Sequence, residues 1–210
     1  MIFPSLENII AVVLAGLLLS AIPGPAMLYV LSRSVSSGRM GGFLSSLGLA
    51  CGAMVHVVLA VLGVSVFLNN NPELIKPIEI LGSFYIAFLG IQTIRQPLFT
   101  QKEVVLDKVS FNSNFELFKQ GFIVEALNPK TILFFVAFLP KFIDPSSEFM
   151  PYHMLVLGLL VPLTAVPSDM LITFTGSTIT SYVTKNTRFQ IVVKWSSGLL
   201  LVGISLSLFM

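Results

Sequence analysis

Ile22-Pro23-Gly24-Pro25-Ala26 interrupts an apolar run that otherwise extends from about Ile9 to Leu31. Leu127-Asn128-Pro129-Lys130-Thr131 does the same to a second run, from about Leu117 to Phe142. The two breaks stand about half a chain apart in a chain of 210 residues. Proline is favoured at the first position of a helix, because the N–H it lacks would have no partner there. Gly24-Pro25 and Asn128-Pro129 therefore each read as an N-cap followed by the first residue of a new helix. Each run becomes two half-helices, and the second half starts deep inside an apolar stretch with unbonded N–H groups.

The composition says what surrounds these runs. Apolar residues make up 55% of the chain and charged residues 10%, with a mean hydropathy of +0.91. A soluble domain carries roughly 25% charged residues, so this chain cannot cover a water-facing surface and is read as an all-α integral membrane protein. The net charge of +2 is too small to point to nucleic acid. A single cysteine, Cys51, excludes an internal disulfide. No cleavable signal peptide is expected, since no Lys or Arg precedes Ile9 and the first apolar run exceeds a signal core.

A span needs about 20 apolar residues, which allows six transmembrane helices in one membrane domain covering 1–210. The spans are expected at about 6–32, 40–68, 74–94, 117–142, 152–182 and 191–209. Asn69-Asn70-Asn71-Pro72 is a turn signal, and Pro162 and Pro167 are expected to bend the fifth span. The polar stretch 96–115 reads as the linker between a first repeat, about 1–95, and a second, about 116–210. The connections between spans 1–2, 3–4 and 5–6 hold Arg33, Arg39, Arg95, Lys102, Lys108, Lys119, Lys185, Arg188 and Lys194, whereas the other side holds only Lys76 and Lys141. Basic loops stay in the cytoplasm, so both termini are expected outside it. Three spans per half force the second half to enter upside down, which makes a 3+3 inverted repeat with broken helices 1 and 4. Matched interruptions in two such halves are the sequence pointer to a transporter's binding site. The competing reading of each break is a kink made only for packing.

Several polar groups fall inside these spans. Asp169 lies midway along the fifth, where a carboxylate costs about 2.5–3.5 kcal/mol on insertion scales. It shares a helical face with Pro162, Ala165, Thr173 and Gly176, as an interior stripe should. Burial disfavours the charged form of an acid, so Asp169 is the candidate to load and release a proton; the plain alternative is helix-to-helix glue. Glu125 and Lys130 flank the second break, and Glu125 shares a face with Gly121 and Asn128. A lysine at this depth needs a carboxylate nearby, from Glu125, Asp169 or a bound solute. Glu125 could instead extend to the cytoplasmic interface. His56 sits on the ridge Gly48, Gly52, His56, Ala60, whose small residues admit another helix. It is either a proton relay or a satisfied interhelical hydrogen bond. Tyr85, between Gly82 and Gly90, lines a path or simply packs. Cys51 and His56 do not converge on one helical face, and no nucleotide fingerprint is present. No metal or cofactor is expected.

These residues bear a likeness. Pro23-Gly24-Pro25 leading into Ser36-Ser37-Gly38-Arg39, then Gly41, Gly48, Gly52 and His56, resembles the first third of the lysine exporter (LysE/RhtB) family of amino-acid efflux proteins. Gly82-x-x-Tyr85 with Leu89-Gly90-Ile91-Gln92 is similar to its third span. Gly121-Phe122, Asn128-Pro129-Lys130 and Phe138-Leu139-Pro140-Lys141-Phe142 resemble its fourth. Asp169 matches an acid found in the fifth span of many members, and Gly198 and Gly203 match the sixth. Glu125 departs from the pattern, standing where a neutral residue, commonly Asn, is expected; an added acid could favour a more cationic substrate.

The resemblance implies a secondary active exporter of amino acids or close derivatives in the bacterial cytoplasmic membrane, coupled to the proton gradient. The expected substrate-binding residues are Pro23, Gly24, Pro25, Asn128, Pro129, Lys130 and Tyr85, with Lys130 meeting the substrate carboxylate. The expected proton-coupling residues are Asp169, Glu125 and His56. Implied partners are an amino acid, protons and the lipid bilayer, and a homo-oligomer is compatible with the build. Two other classes compete. An intramembrane enzyme would use His56 and the buried acids, and a cation exporter of similar build would need carboxylate or sulfur ligands that are few here.

Overall fold

The computed structural model describes residues 3–21, 24–64, 73, 75–95, 97–98, 113–144 and 147–209. Pro23, the turn at 69–72 and most of the linker read at 96–115 lie outside them. All regular structure among the described residues is helical.

Helix α1 (Leu6–Ala21) starts behind Ser5, whose hydroxyl accepts from the Asn8 amide at 3.2 Å. Helix α2 (Pro25–Ser36) begins with Pro25 as its first residue behind an extended Gly24. It ends one residue before α3 (Gly38–Leu59), so the connection expected between spans ending at about 32 and starting at about 40 shrinks to Ser37. Gly38 makes that reversal with a φ of 70°, a left-handed conformation that costs glycine nothing. A π-helical turn, Ala60–Val64, extends α3. Helix α4 spans Ile75–Arg95. Helix α5 (Asn114–Ala126) opens behind an N-cap, since the Ser113 hydroxyl accepts from the Glu116 amide at 3.3 Å. Helix α6 (Pro129–Leu133) runs on through a π-turn and a tight turn to Phe142. Helix α7 (Met150–Lys185) passes unbroken through Pro162 and Pro167, and α8 covers Thr187–Phe209.

The segments Gly38–Gly63 and Met150–Thr175 are each long and apolar enough to cross a membrane. Two bent pairs meet the same standard as single spans: α1 with α2, bent by 55°, and α5 with Pro129–Phe142, bent by 43°. The surface fits a lipid environment. Leu62, Leu81 and Phe84 are each more than 60% exposed, whereas Asn128, Ser45 and Ser83 are at most 2% exposed. Many large apolar side chains stand on the surface while several polar ones are buried, as lipid around the bundle would favour.

Glycines set which helices touch, because small residues let backbones approach closely. A Cβ at Gly52 would stand 2.5 Å from the Phe122 carbonyl oxygen, and one at Gly48 would collide with that of Phe118, so α3 lies against α5. Gly121 answers from α5, where a Cβ would meet the Ser45 carbonyl. In the other direction, a Cβ at Gly16 of α1 would strike Thr164 of α7. Helices α4 and α8 cross where Gly90 and Gly198 meet, each within 2.8 Å of the other's carbonyl when given a Cβ.

Two apolar clusters sit on either side of the breaks. The larger gathers Val12, Leu19, Val57, Phe135, Met154 and Leu157 with further residues of the same helices. The smaller holds Val30, Leu31, Leu49 and Ile172. The gap between them contains the site.

Candidate functional site

Proline at position i cannot donate to the carbonyl at i−4. Pro129 therefore leaves the Glu125 carbonyl without an i+4 donor; in the sequence Pro23, which has no N–H, likewise stands four residues after Leu19. The Asn128 amide reaches the Glu125 carbonyl from within the break at 2.9 Å, and at each break a side chain from the other half of the molecule donates as well. His56 of α3 donates through Nε2 to the Glu125 carbonyl at 2.9 Å. Lys130 of α6 donates through Nζ to the Leu19 carbonyl at 2.8 Å. Each half thus adds a side-chain donor at the break of the other.

The second break is also braced from within. The Asn128 side chain caps α6 by accepting from the Lys130 amide at 3.1 Å, and its Nδ2 donates to Glu125 Oε2 at 3.0 Å. Thr131 donates its hydroxyl to Glu125 Oε1 at 2.7 Å. Both carboxyl oxygens of Glu125 are thus engaged, and the residue is buried. Glu125 turns inward across the break instead of reaching toward an interface.

A cavity of about 60 Å³ opens between the two breaks. One water needs ~10–15 Å³ on this measure, so several fit. Its polar wall carries Glu125, Asn128, Lys130, Thr131 and Asp169; Val161, Val166, Leu19 and Leu49 are among its apolar lining. Pro162, Ala165 and Asp169 share this lining, and Thr173, one turn on, lies 3.4 Å from the Ser46 hydroxyl, so the α7 stripe faces protein.

Not every expected residue reaches the cavity. Gly24 and Pro25 open α2, and the next two residues, Ala26 and Met27, line it instead. Pro129 is exposed. Tyr85 flanks the break, its hydroxyl 3.5 Å from the Pro129 carbonyl. His56 supports the cavity from behind, through the Glu125 backbone. Thr131 and Leu19 were not singled out by sequence; the i−4 rule applied to Pro23 would have flagged Leu19. Toward the smaller cluster, buried Tyr29 of α2 donates to the Leu117 carbonyl of α5 at 2.9 Å. Its ring lies under the Arg33 guanidinium, 5.4 Å from the centroid.

A helical membrane bundle with a polar cavity between two discontinuous spans defines the class, a multi-span membrane protein built around a small internal polar site. The chain belongs to the LysE type translocator family, whose model matches residues 17–210. The leucine efflux proteins of Salmonella typhimurium (strain LT2) and Salmonella typhi are each 29% identical to it over 183 residues, covering 87% of this chain and 85% of theirs. An uncharacterized membrane protein of Pseudomonas aeruginosa is 27% identical over 194 residues, covering 89% and 88%. No solved structure matches the chain.

Proposed function

We propose that this translocator is a secondary active exporter of amino acids or close derivatives across the bacterial cytoplasmic membrane, working by proton antiport. The observation that carries the reading is the cavity between the two broken spans, with Glu125, Lys130 and Asp169 on one polar wall. Its apolar lining suits an aliphatic side chain, and the relatives named for leucine efflux agree with that class.

In this reading α4 and α8 are also spans, giving six arranged as a 3+3 inverted repeat about an axis in the membrane plane. The swapped contacts support it. Gly16, nine residues before Pro25, faces α7; Gly121, eight before Pro129, faces α3. Each half thus lays the first part of its broken span against the middle span of the other. The basic loop residues place Ser37 and the start of α5 on the cytoplasmic side and both termini outside.

Gly24, Pro25, Asn128 and Pro129 shape the site, with Pro23 ahead of the first break and Tyr85 at its flank. Lys130 meets the substrate carboxylate. Asp169 carries the proton, with Glu125 on the same wall and His56 behind it as relay. The test is efflux from proteoliposomes preloaded with labelled amino acids under an imposed pH gradient. Amino-acid release that rises with the gradient is expected, and no release of any amino acid in the panel sinks the reading.

A further inference from the structure

The first break has two chemically opposite ends. On one side stands the last turn of α1 with the Leu19 carbonyl, four residues before Pro23, which has no N–H to give. On the other stand the amides of Ala26 and Met27, which precede the first bond of α2, from the Leu28 amide to the Gly24 carbonyl at 3.0 Å. Leu19, Ala26 and Met27 all line the same cavity. Carbonyls at a helix C-terminus favour a cation, and amides at an N-terminus favour an anion. What the carbonyl end accepts is visible directly, because the Lys130 ammonium sits on Leu19 at 2.8 Å. An amino acid brings that same group, with a carboxylate one carbon away.

We propose that the Leu19 carbonyl is the ammonium subsite for the transported amino acid, and that Lys130 is its resting occupant, displaced each time a substrate binds. This rests on the exporter reading above. The exchange puts one primary ammonium in place of another, so the buried carbonyl keeps a donor throughout and the local charge balance is unchanged. The Lys130 backbone stays put, held by the Asn128 cap at 3.1 Å; only the flexible stem swings. Its released ammonium then takes the incoming carboxylate on the wall that Glu125 and Asp169 share. Lys130 is therefore a built-in competitor for the ammonium end and a partner for the carboxylate end of one substrate.

Two measurements test this. In wild-type protein in bilayers, carrying ¹⁵Nζ-lysine and ¹³C-carbonyl leucine, solid-state NMR should show a close lysine–leucine coupling without amino acid. Saturation with whichever panel amino acid is exported fastest should abolish it. A coupling that persists with that amino acid bound overturns the proposal while leaving the exporter reading intact; a panel with no exported amino acid removes both. The second probe is isopentylammonium, which has leucine's side chain and ammonium but no carboxylate. If Lys130 occupies the subsite nine-tenths of the time, Lys130→Met should bind this amine about tenfold more tightly than wild type. Tetramethylammonium, a cation that cannot donate to the carbonyl, controls for the removed charge: an equal gain for it counts against the subsite, as does equal or weaker binding of isopentylammonium by folded Lys130→Met. Should that variant fail to fold, the wild-type coupling decides alone.

Discussion

His56 Nε2 lies 2.9 Å from the carbonyl oxygen of Glu125, the carbonyl that Pro129 deprives of its helical donor. A histidine on one span thereby joins the Asn128 amide as a donor at the break of another. Interhelical bonds in membranes are worth about 0.6 kcal/mol on average and up to about 1.7, so His56→Ala should lower stability by an amount in that range. His56→Gln keeps a donor and should recover most of it, as thermal unfolding in detergent would register. Glutamine does not titrate, so the same variant should slow pH-driven efflux if the ring relays protons.

Glu125 is tied to Asn128 and Thr131 across the break. Glu125→Ala strands two buried polar partners, and each buried group left unsatisfied costs about 1–3 kcal/mol. Glu125→Gln keeps an acceptor of the same shape and should cost far less. Equal losses of thermal stability in the two variants would show that the side-chain brace contributes nothing.

Close backbone approach predicts a contrast among glycines. Gly48→Ala pushes a methyl into the Phe118 carbonyl, whereas a Cβ at Gly63 meets nothing within 4 Å. Overpacking costs typically 1–3 kcal/mol, so Gly48→Ala should fold poorly and Gly63→Ala should match wild type. Size-exclusion profiles of the two proteins in detergent check this.

Asp169 lines the cavity on the stripe that faces protein. Asp169→Asn is nearly the same size, so the fold should survive. Net efflux driven by a pH gradient should disappear, while exchange of labelled for unlabelled amino acid, which moves no net proton, should continue. Undiminished gradient-driven efflux would remove Asp169 from the coupling.

Orientation has its own readout. In a cysteine-free background, Ser5→Cys should react with an impermeant maleimide on intact cells. Ser37→Cys should react only after the membrane is opened.

Much of this was legible in the chain because it follows from local rules. Pro25 and Pro129 begin helices where a missing N–H is harmless, and the ridge of Gly48 and Gly52 admits a neighbour. Asp169 shares its stripe with small residues. The acceptors at Leu19 and Glu125 follow from counting back four from a proline. The donors do not. That Lys130 reaches Leu19, and His56 reaches Glu125, depends on which spans lie side by side, and local propensity carries no information about that. By sequence alone Lys130 takes a carboxylate for a partner; the hydrogen bond seen here runs to the Leu19 backbone carbonyl, with Glu125 and Asp169 lining the same cavity.

The crosswise filling of the two breaks has a consequence for biogenesis. When residues 1–95 have left the ribosome, the Leu19 carbonyl is already in the bilayer, and its donor has not yet been synthesised. The helices of the first half must wait without that contact, hydrated or held by the insertion machinery, until residue 130 arrives. A ribosome pausing between the halves would leave that nascent intermediate exposed to quality-control proteolysis.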